Sequence, residues 1–293
     1  MKTPILLTCL TFTACLLTSG SSFAIAADAP ASPPPAAPEA KPKPASAVIP
    51  PDVNGNRTVV APPVQVKPVK VAVFSGKGSP KSSVDSVVHC VASIPGATAT
   101  VVSAEEMGTI DLQQFDVVVF GGGAGATQSK SIGDAGRNNV REYVRGGGGY
   151  VGICAGAYLA CSNFSWGLGL LNASTVSSQW RRGGGIVELE VTEPGRKVLG
   201  DVKGTFKIRY NNGPIIKPGD QTDLPAYTAV SVFRTEMAEN GTPVGVMVES
   251  PAQATSTFGK GRVFFSSPHA EVTPGLEHVI PRAILWASGV DAL

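Results

Sequence analysis

The run Gly146-Gly147-Gly148-Gly149-Tyr150-Val151-Gly152-Ile153-Cys154-Ala155-Gly156-Ala157-Tyr158-Leu159-Ala160-Cys161 leaves this chain few architectural choices. Four glycines lead into a short apolar strand, the strand ends at a cysteine, and an Ala/Leu segment of helical character follows. Gly152-x-Cys154-x-Gly156 has the spacing of a nucleophile elbow with Cys in the place of Ser. A side chain on a sharp strand-to-helix turn sits in strained backbone, and the chain around it must approach closely without Cβ atoms. The helix that follows aims its N-terminus at the sulfur and favours thiolate over thiol. The other reading of Cys154 is a small buried hydrophobe at a Gly-rich strand end, and the motif alone does not separate the two.

The N-terminal region constrains the setting. Lys2 gives a positive start, Pro4 to Leu17 is mostly apolar, and Ala24-Ile25-Ala26 offers small residues for cleavage, so 1–26 reads as a secretory signal. Its apolar run is too short and too rich in Ser and Thr for a stable membrane span, so no span is expected in the mature chain. Export to a periplasm or beyond is the expectation. Lipid attachment at Cys15 is the weaker alternative, because Phe12 fits poorly upstream. From Ala27 to Pro68 the chain is Pro/Ala-rich with scattered Lys, and it reads as a disordered, semi-extended linker.

Residues 69–293 are enough for one α/β domain with a full core. The 24 basic and 22 acidic residues leave a net charge of +2 with no charged block, which argues against nucleic acid as a partner. Beyond the signal the cysteines are Cys90, Cys154 and Cys161, so at least one thiol is unpaired within the chain. Cys90 and Cys161 are either paired or simply buried.

Strand and helix signals alternate through the first half. Strands are expected at 69–74, 98–102, 116–120 and 150–153, and helices at 79–94 and from Asp134 to Gly146. That alternation is the pattern of a parallel sheet with helices on both faces. The second half is richer in strands, at 186–191, 205–210, 227–233, 244–248, 254–258 and 262–267. A Gly259-Lys260-Gly261 turn joins the last two, and a closing helix runs over 275–287.

Two further features bear on chemistry. His269 and Glu271 are two residues apart just past a strand end, and in extended backbone they would project the same way. A thiol nucleophile needs a base, and the base needs a third group to fix its tautomer. His89 and His278 lie inside expected helices and read as packing or solvated residues. The second feature is the glycine loop Gly121-Gly122-Gly123, which ends the neighbouring strand. Its backbone N–H groups, with that of Ala155, could face a developing oxyanion. A dinucleotide loop is excluded because the G-x-G-x-x-G spacing is missing. No cofactor and no metal are called for.

These pieces together resemble the class I glutamine amidotransferase-like superfamily, and within it the biotin–protein ligase N-terminal-domain-like family. The residues that carry the resemblance are Val73 to Ser79, Gly121-Gly122-Gly123-Ala124, Arg141 to Gly148, Tyr150 to Cys161, Tyr210-Asn211-Asn212-Gly213-Pro214 and His269-Ala270-Glu271. The resemblance implies a flavodoxin-like three-layer sandwich with a mostly parallel sheet and a cysteine nucleophile elbow. It also implies a Cys154–His269–Glu271 triad, with Gly122, Gly123, Ala155, Tyr158, Asn211 and Asn212 around the oxyanion and substrate. Ala157-Tyr158 stands where glutaminases of the superfamily carry Gln, and Ala270 where they carry Pro, which argues against glutamine as substrate. The expected activity is a cysteine amidohydrolase or acyl transferase acting on a small-molecule amide or acyl substrate. The alternative is a non-catalytic module that binds a ligand or a protein with the same fold.

Overall fold

The computed structural model describes residues 67–290 except 201 and 203. The expected signal and nearly all of the expected linker therefore lie outside the described residues. Among the described residues no helix is long and apolar enough to cross a membrane.

Four short runs build the parallel half of the sheet, with the second at its edge: β1 (Lys70–Ser75), β2 (Thr98–Ser103), β3 (Val117–Phe120) and β4 (Gly149–Ile153). Every residue of β3 and β4 is buried, as a central parallel strand covered on both faces requires. With β5 (Ala173–Thr175), β6 (Gly184–Val191), β7 (Thr205–Asn211), β8 (Ile216–Pro218), β9 (Thr228–Phe233), β10 (Pro251–Phe258) and β11 (Gly261–Ser266), the chain forms two sheets. The large sheet has nine strands in the order β2-β1-β3-β4-β11-β10-β9-β6-β7, and β5 pairs with β8 apart from it. From β2 to β11 neighbouring strands are parallel; from β11 to β7 they are antiparallel. The sheet is thus mixed, with a parallel core.

Alternating residues of the parallel strands feed two cores. Val71, Val73, Val117, Val119, Val151 and Ile153 pack on one face with α1 (Lys81–Ala92) and α5 (Val279–Ala287). Ala72, Phe74, Val118, Phe120 and Tyr150 pack on the other with α2 (Gly125–Gly146) and α3 (Ala155–Ala160). Helix, sheet and helix are the three layers. A further helix, α4 (Glu193–Leu199), is capped by the Thr192 hydroxyl, which accepts from the Gly195 N–H.

Three expectations need correction. The helix expected from Asp134 is preceded by another helical stretch, so α2 already begins at Gly125 and kinks at Gly133, whose φ is 62°. The strand expected at 244–248 is a loop: Gly245 has φ 78° and Glu249 has φ 67°, Val244 is 77% exposed, and Met247 alone of the stretch is buried in the core. The elements β5, β8 and α4 were not anticipated. The Gly259-Lys260 turn does join β10 to β11, with Phe258 opposite Gly261.

Candidate active site

Cys154 stands between the last residue of β4 and the first of α3, with φ 51° and ψ −95°. This left-handed backbone is costly for a residue with a Cβ, and the surrounding packing must hold it there. The two flanking glycines make the turn possible. A Cβ on Gly156 would meet the Phe120 carbonyl oxygen at 2.1 Å, and one on Gly152 would meet the Gly156 oxygen at 2.5 Å. The spacing Gly-x-Cys-x-Gly is therefore a consequence of three backbones meeting at one point. Its helix is short, six residues in α3, so the helix field on the sulfur is weaker than a long helix would give.

The imidazole comes from the far side. His269 follows β11, and its backbone is pinned to β7 by a bridge to Arg209, with the His269 N–H donating to the Arg209 carbonyl at 2.8 Å. The Thr273 hydroxyl ties the same segment down, donating to the His269 carbonyl at 2.5 Å and accepting from the Arg209 N–H at 3.1 Å. Residues 270–272 form a 3-10 turn rather than the extended segment expected. The turn still brings the Glu271 carboxylate to 2.7 Å from His269 Nδ1.

Glu271 is 2% exposed at its side chain and His269 12%. His269 Nε2 is buried and makes no hydrogen bond of ordinary geometry. Burial alone would lower the imidazole pKa. The adjoining Cys154 sulfur and Glu271 carboxylate more than reverse that, and it rises to about 10. The Cys154 thiol donates to the Asn211 carbonyl at 3.5 Å.

Cys154, His269, Glu271, Gly122, Gly123, Tyr158, Asn211 and Asn212 all line one cavity of about 840 Å³ at the C-terminal edge of the parallel strands. Ala155 is the exception among the residues named from sequence: it is buried and does not line the cavity. The Tyr158 hydroxyl donates to the Asn212 carbonyl at 3.1 Å, and burial raises its pKa far above the usual phenol range. Asn212 has φ 55°, and its side-chain oxygen accepts from the Gly183 N–H at 2.8 Å.

Sequence reasoning missed the residue that holds the glycine loop. Gln128 is fully buried, and its Nε2 donates to Ser79 Oγ at 3.0 Å and to the carbonyls of Gly121 at 3.2 Å, Gly78 at 3.3 Å and Gly122 at 3.4 Å. A polar residue on the buried face of the first turn of α2 was the available signal. The aromatic wall of Phe164, Trp166 and Trp180 and the cation Arg209 were also missed. They lie in loops and on an antiparallel strand, where no motif marks them.

Cys90 and Cys161 are both free and buried, which resolves the open alternatives in favour of burial. Burial pushes each thiol up to about 12. Among the described residues no group of His, Cys, Asp and Glu could hold a metal ion.

Residues 69–178 match the family described as biotin-protein ligase, N terminal. An uncharacterized protein of Chlamydia muridarum is 42% identical over 50 residues, which is 17% of this chain and 19% of that one. The match thus spans about a fifth of the relative's length. Among solved structures, PurLQS from Thermotoga maritima superposes with a TM-score of 0.51 at 16% identity, over 75% of this chain and 97% of that one. A putative thua-like protein from Parabacteroides merdae gives 0.49 at 14% identity, over 76% and 90%. The described residues form a mixed, mostly parallel α/β fold like that of PurLQS, and residues 69–178 match the family model described as biotin-protein ligase, N terminal.

Proposed function

We propose that this is an exported cysteine amidohydrolase or acyl transferase that works through a thioester at Cys154. The observation that carries the reading is His269: Nδ1 is held by Glu271 at 2.7 Å while Nε2 is left without a partner in the cavity that Cys154 lines. A structural histidine would have both nitrogens satisfied.

In this reading the thiol proton passes to His269, and the thiolate attacks the carbonyl carbon of an amide. A C–S bond forms and the carbonyl π pair moves onto oxygen. As the C–N bond breaks, the imidazolium gives its proton to the leaving nitrogen. Water or another acceptor then attacks the thioester and loses its proton to His269, and the thiolate departs. Glu271 holds the imidazole in the tautomer that each transfer needs. The glycine loop at Gly122 and Gly123, which lines the cavity, is the proposed source of oxyanion donors. Cleavage of the signal expected at 1–26 would release the enzyme beyond the cytoplasm.

The test is acylation of the intact protein by p-nitrophenyl acetate, read by mass spectrometry of peptides. An acetyl group on Cys154 that turns over with time, and that His269→Ala slows by about 100-fold or more, is the expected result. One observation favours the non-catalytic alternative: the thiol contacts the Asn211 carbonyl. If Cys154 reacts no faster than an ordinary thiol and His269→Ala changes nothing, that alternative is the correct one.

A further inference from the structure

The cavity has an uneven distribution of charge. Besides His269, its charged lining residues are Glu271, which is committed to His269, and Arg209. Among the described residues the Arg209 guanidinium has no ion-pair or side-chain hydrogen-bond partner, although the residue is exposed and opens onto the cavity. Other arginines near acids in this protein do pair, as Arg182 does with Glu236 at 2.6 Å. Arg209 and Asn211 are two residues apart on one face of β7, so their backbones are about 6–7 Å apart along the strand. Asn211 is the residue whose carbonyl touches the Cys154 thiol. Arg209 is therefore anchored two residues along β7 from the carbonyl that touches the sulfur, and it lines the same cavity.

A different chemistry lines another part of the cavity. Phe164 stacks on Trp166 with centroids 4.5 Å apart and lies 6.0 Å from the Tyr158 ring. Trp180 stands 50% exposed at the rim. A volume of about 840 Å³ is larger than a free amino acid needs and matches a ligand of several residues' bulk. We infer that the amide cleaved or transferred at Cys154 is peptide-like, with a free carboxylate bound by Arg209 and an apolar or aromatic side chain on the Tyr158–Phe164–Trp166 wall. A planar guanidinium binds a carboxylate through two parallel N–H···O bonds, which a methyl ester or carboxamide cannot reproduce.

This inference rests on the proposed site but is tested apart from its chemistry. The full chain carrying Cys154→Ala, with Cys154→Ser as a second background, is titrated calorimetrically with N-acetyl-Phe-Gly, its C-terminal carboxamide, and N-acetyl-Ala-Gly. The acid is expected to bind at least about 10-fold more tightly than either relative. Arg209→Ala should abolish the preference over the carboxamide, and Arg209→Lys should restore part of it. Trp166→Ala should abolish the preference for Phe over Ala. Equal binding of acid and carboxamide, a preference that survives Arg209→Ala, or no binding of any probe overturns the inference. A Cys154 that forms a thioester without carboxylate preference sinks this inference and leaves the catalytic reading intact. Carboxylate-selective binding without thioester formation in the unmutated chain does the reverse.

Discussion

A methyl group on Gly122 would stand 2.9 Å from Cε1 of His269, closer than carbon atoms can sit without something moving. The imidazole has little room to yield, because Nδ1 is bonded to Glu271 and its backbone is bonded to β7. The glycine loop after β3 is thus more than a source of N–H groups. Its lack of side chains leaves space for the ring.

Gly122→Ala is therefore expected to displace His269 while leaving Cys154 in place. Overpacking of this kind costs about 1–3 kcal/mol, so the protein should still fold. Alkylation of Cys154 by iodoacetamide at neutral pH should fall toward the rate of His269→Ala. An unchanged rate in a folded Gly122→Ala protein would show that the ring does not assist the thiol.

Gln128→Leu separates support from chemistry. The substitution keeps volume roughly but removes the single nitrogen that reaches four oxygens on two loops. The Gly78 and Gly121 carbonyls keep the N–H groups of Ala124 and Gly156, and a buried acceptor left unpaired costs about 1–3 kcal/mol, so the total should lie near the upper figure. Thermal unfolding should shift down by several degrees, at about 2–4 °C per kcal/mol for a domain of this size. Gln128→Glu would place a carboxylate among those carbonyls and should be worse. A Gln128→Leu protein as stable as the parent would mean that the loops hold themselves.

Much of this site was legible because its constraints are local. Gly152, Cys154 and Gly156 sit within five residues, and the steric reason for the glycines is a backbone contact that any protein with this turn must make. The parallel strands were legible because buried runs such as Val117–Phe120 carry no polar residue. The antiparallel half was harder. Residues 244–248 look like a strand by composition, but two backbone positions with positive φ, Gly245 and Glu249, turn the chain before a ladder can form. Glu271 was found for a reason that did not hold in detail: the carboxylate reaches the imidazole through a 3-10 turn and not through extended backbone. Arg209 escaped notice because its role depends on β7 lying beside the His269 segment, a pairing between residues 60 apart.

The order of thiol reactivity follows from burial. Cys161 is wholly buried and follows α3, and Cys90 lies in the core beside α5. Both thiols are held protonated, with pKa values pushed up to about 12. Cys154 alone of the three opens onto the cavity. Brief treatment with iodoacetamide, followed by peptide mass spectrometry, should label Cys154 and leave Cys90 and Cys161 unmodified until denaturant is added. Native labelling of Cys161 at a comparable rate would contradict the packing of α3 against β3.

The raised pKa of His269 gives stability a pH dependence of definite sign. The folded imidazole holds its proton up to about 10, whereas an unfolded histidine releases it near 6.5. Folding therefore takes up a proton between those values. The stabilisation from this group is complete below about 6.5 and is lost as the pH climbs toward 10. His269→Gln removes the titration and keeps much of the volume. The difference in urea midpoint between the parent and His269→Gln should be largest near pH 6.5, shrink through pH 8, and level off near pH 10. Below about pH 5 the comparison changes character, because carboxylates in general begin to take up protons. A difference that stayed flat from pH 6.5 to 10 would mean that His269 titrates normally. His269 would then have to act as a neutral base that takes the thiol proton during attack.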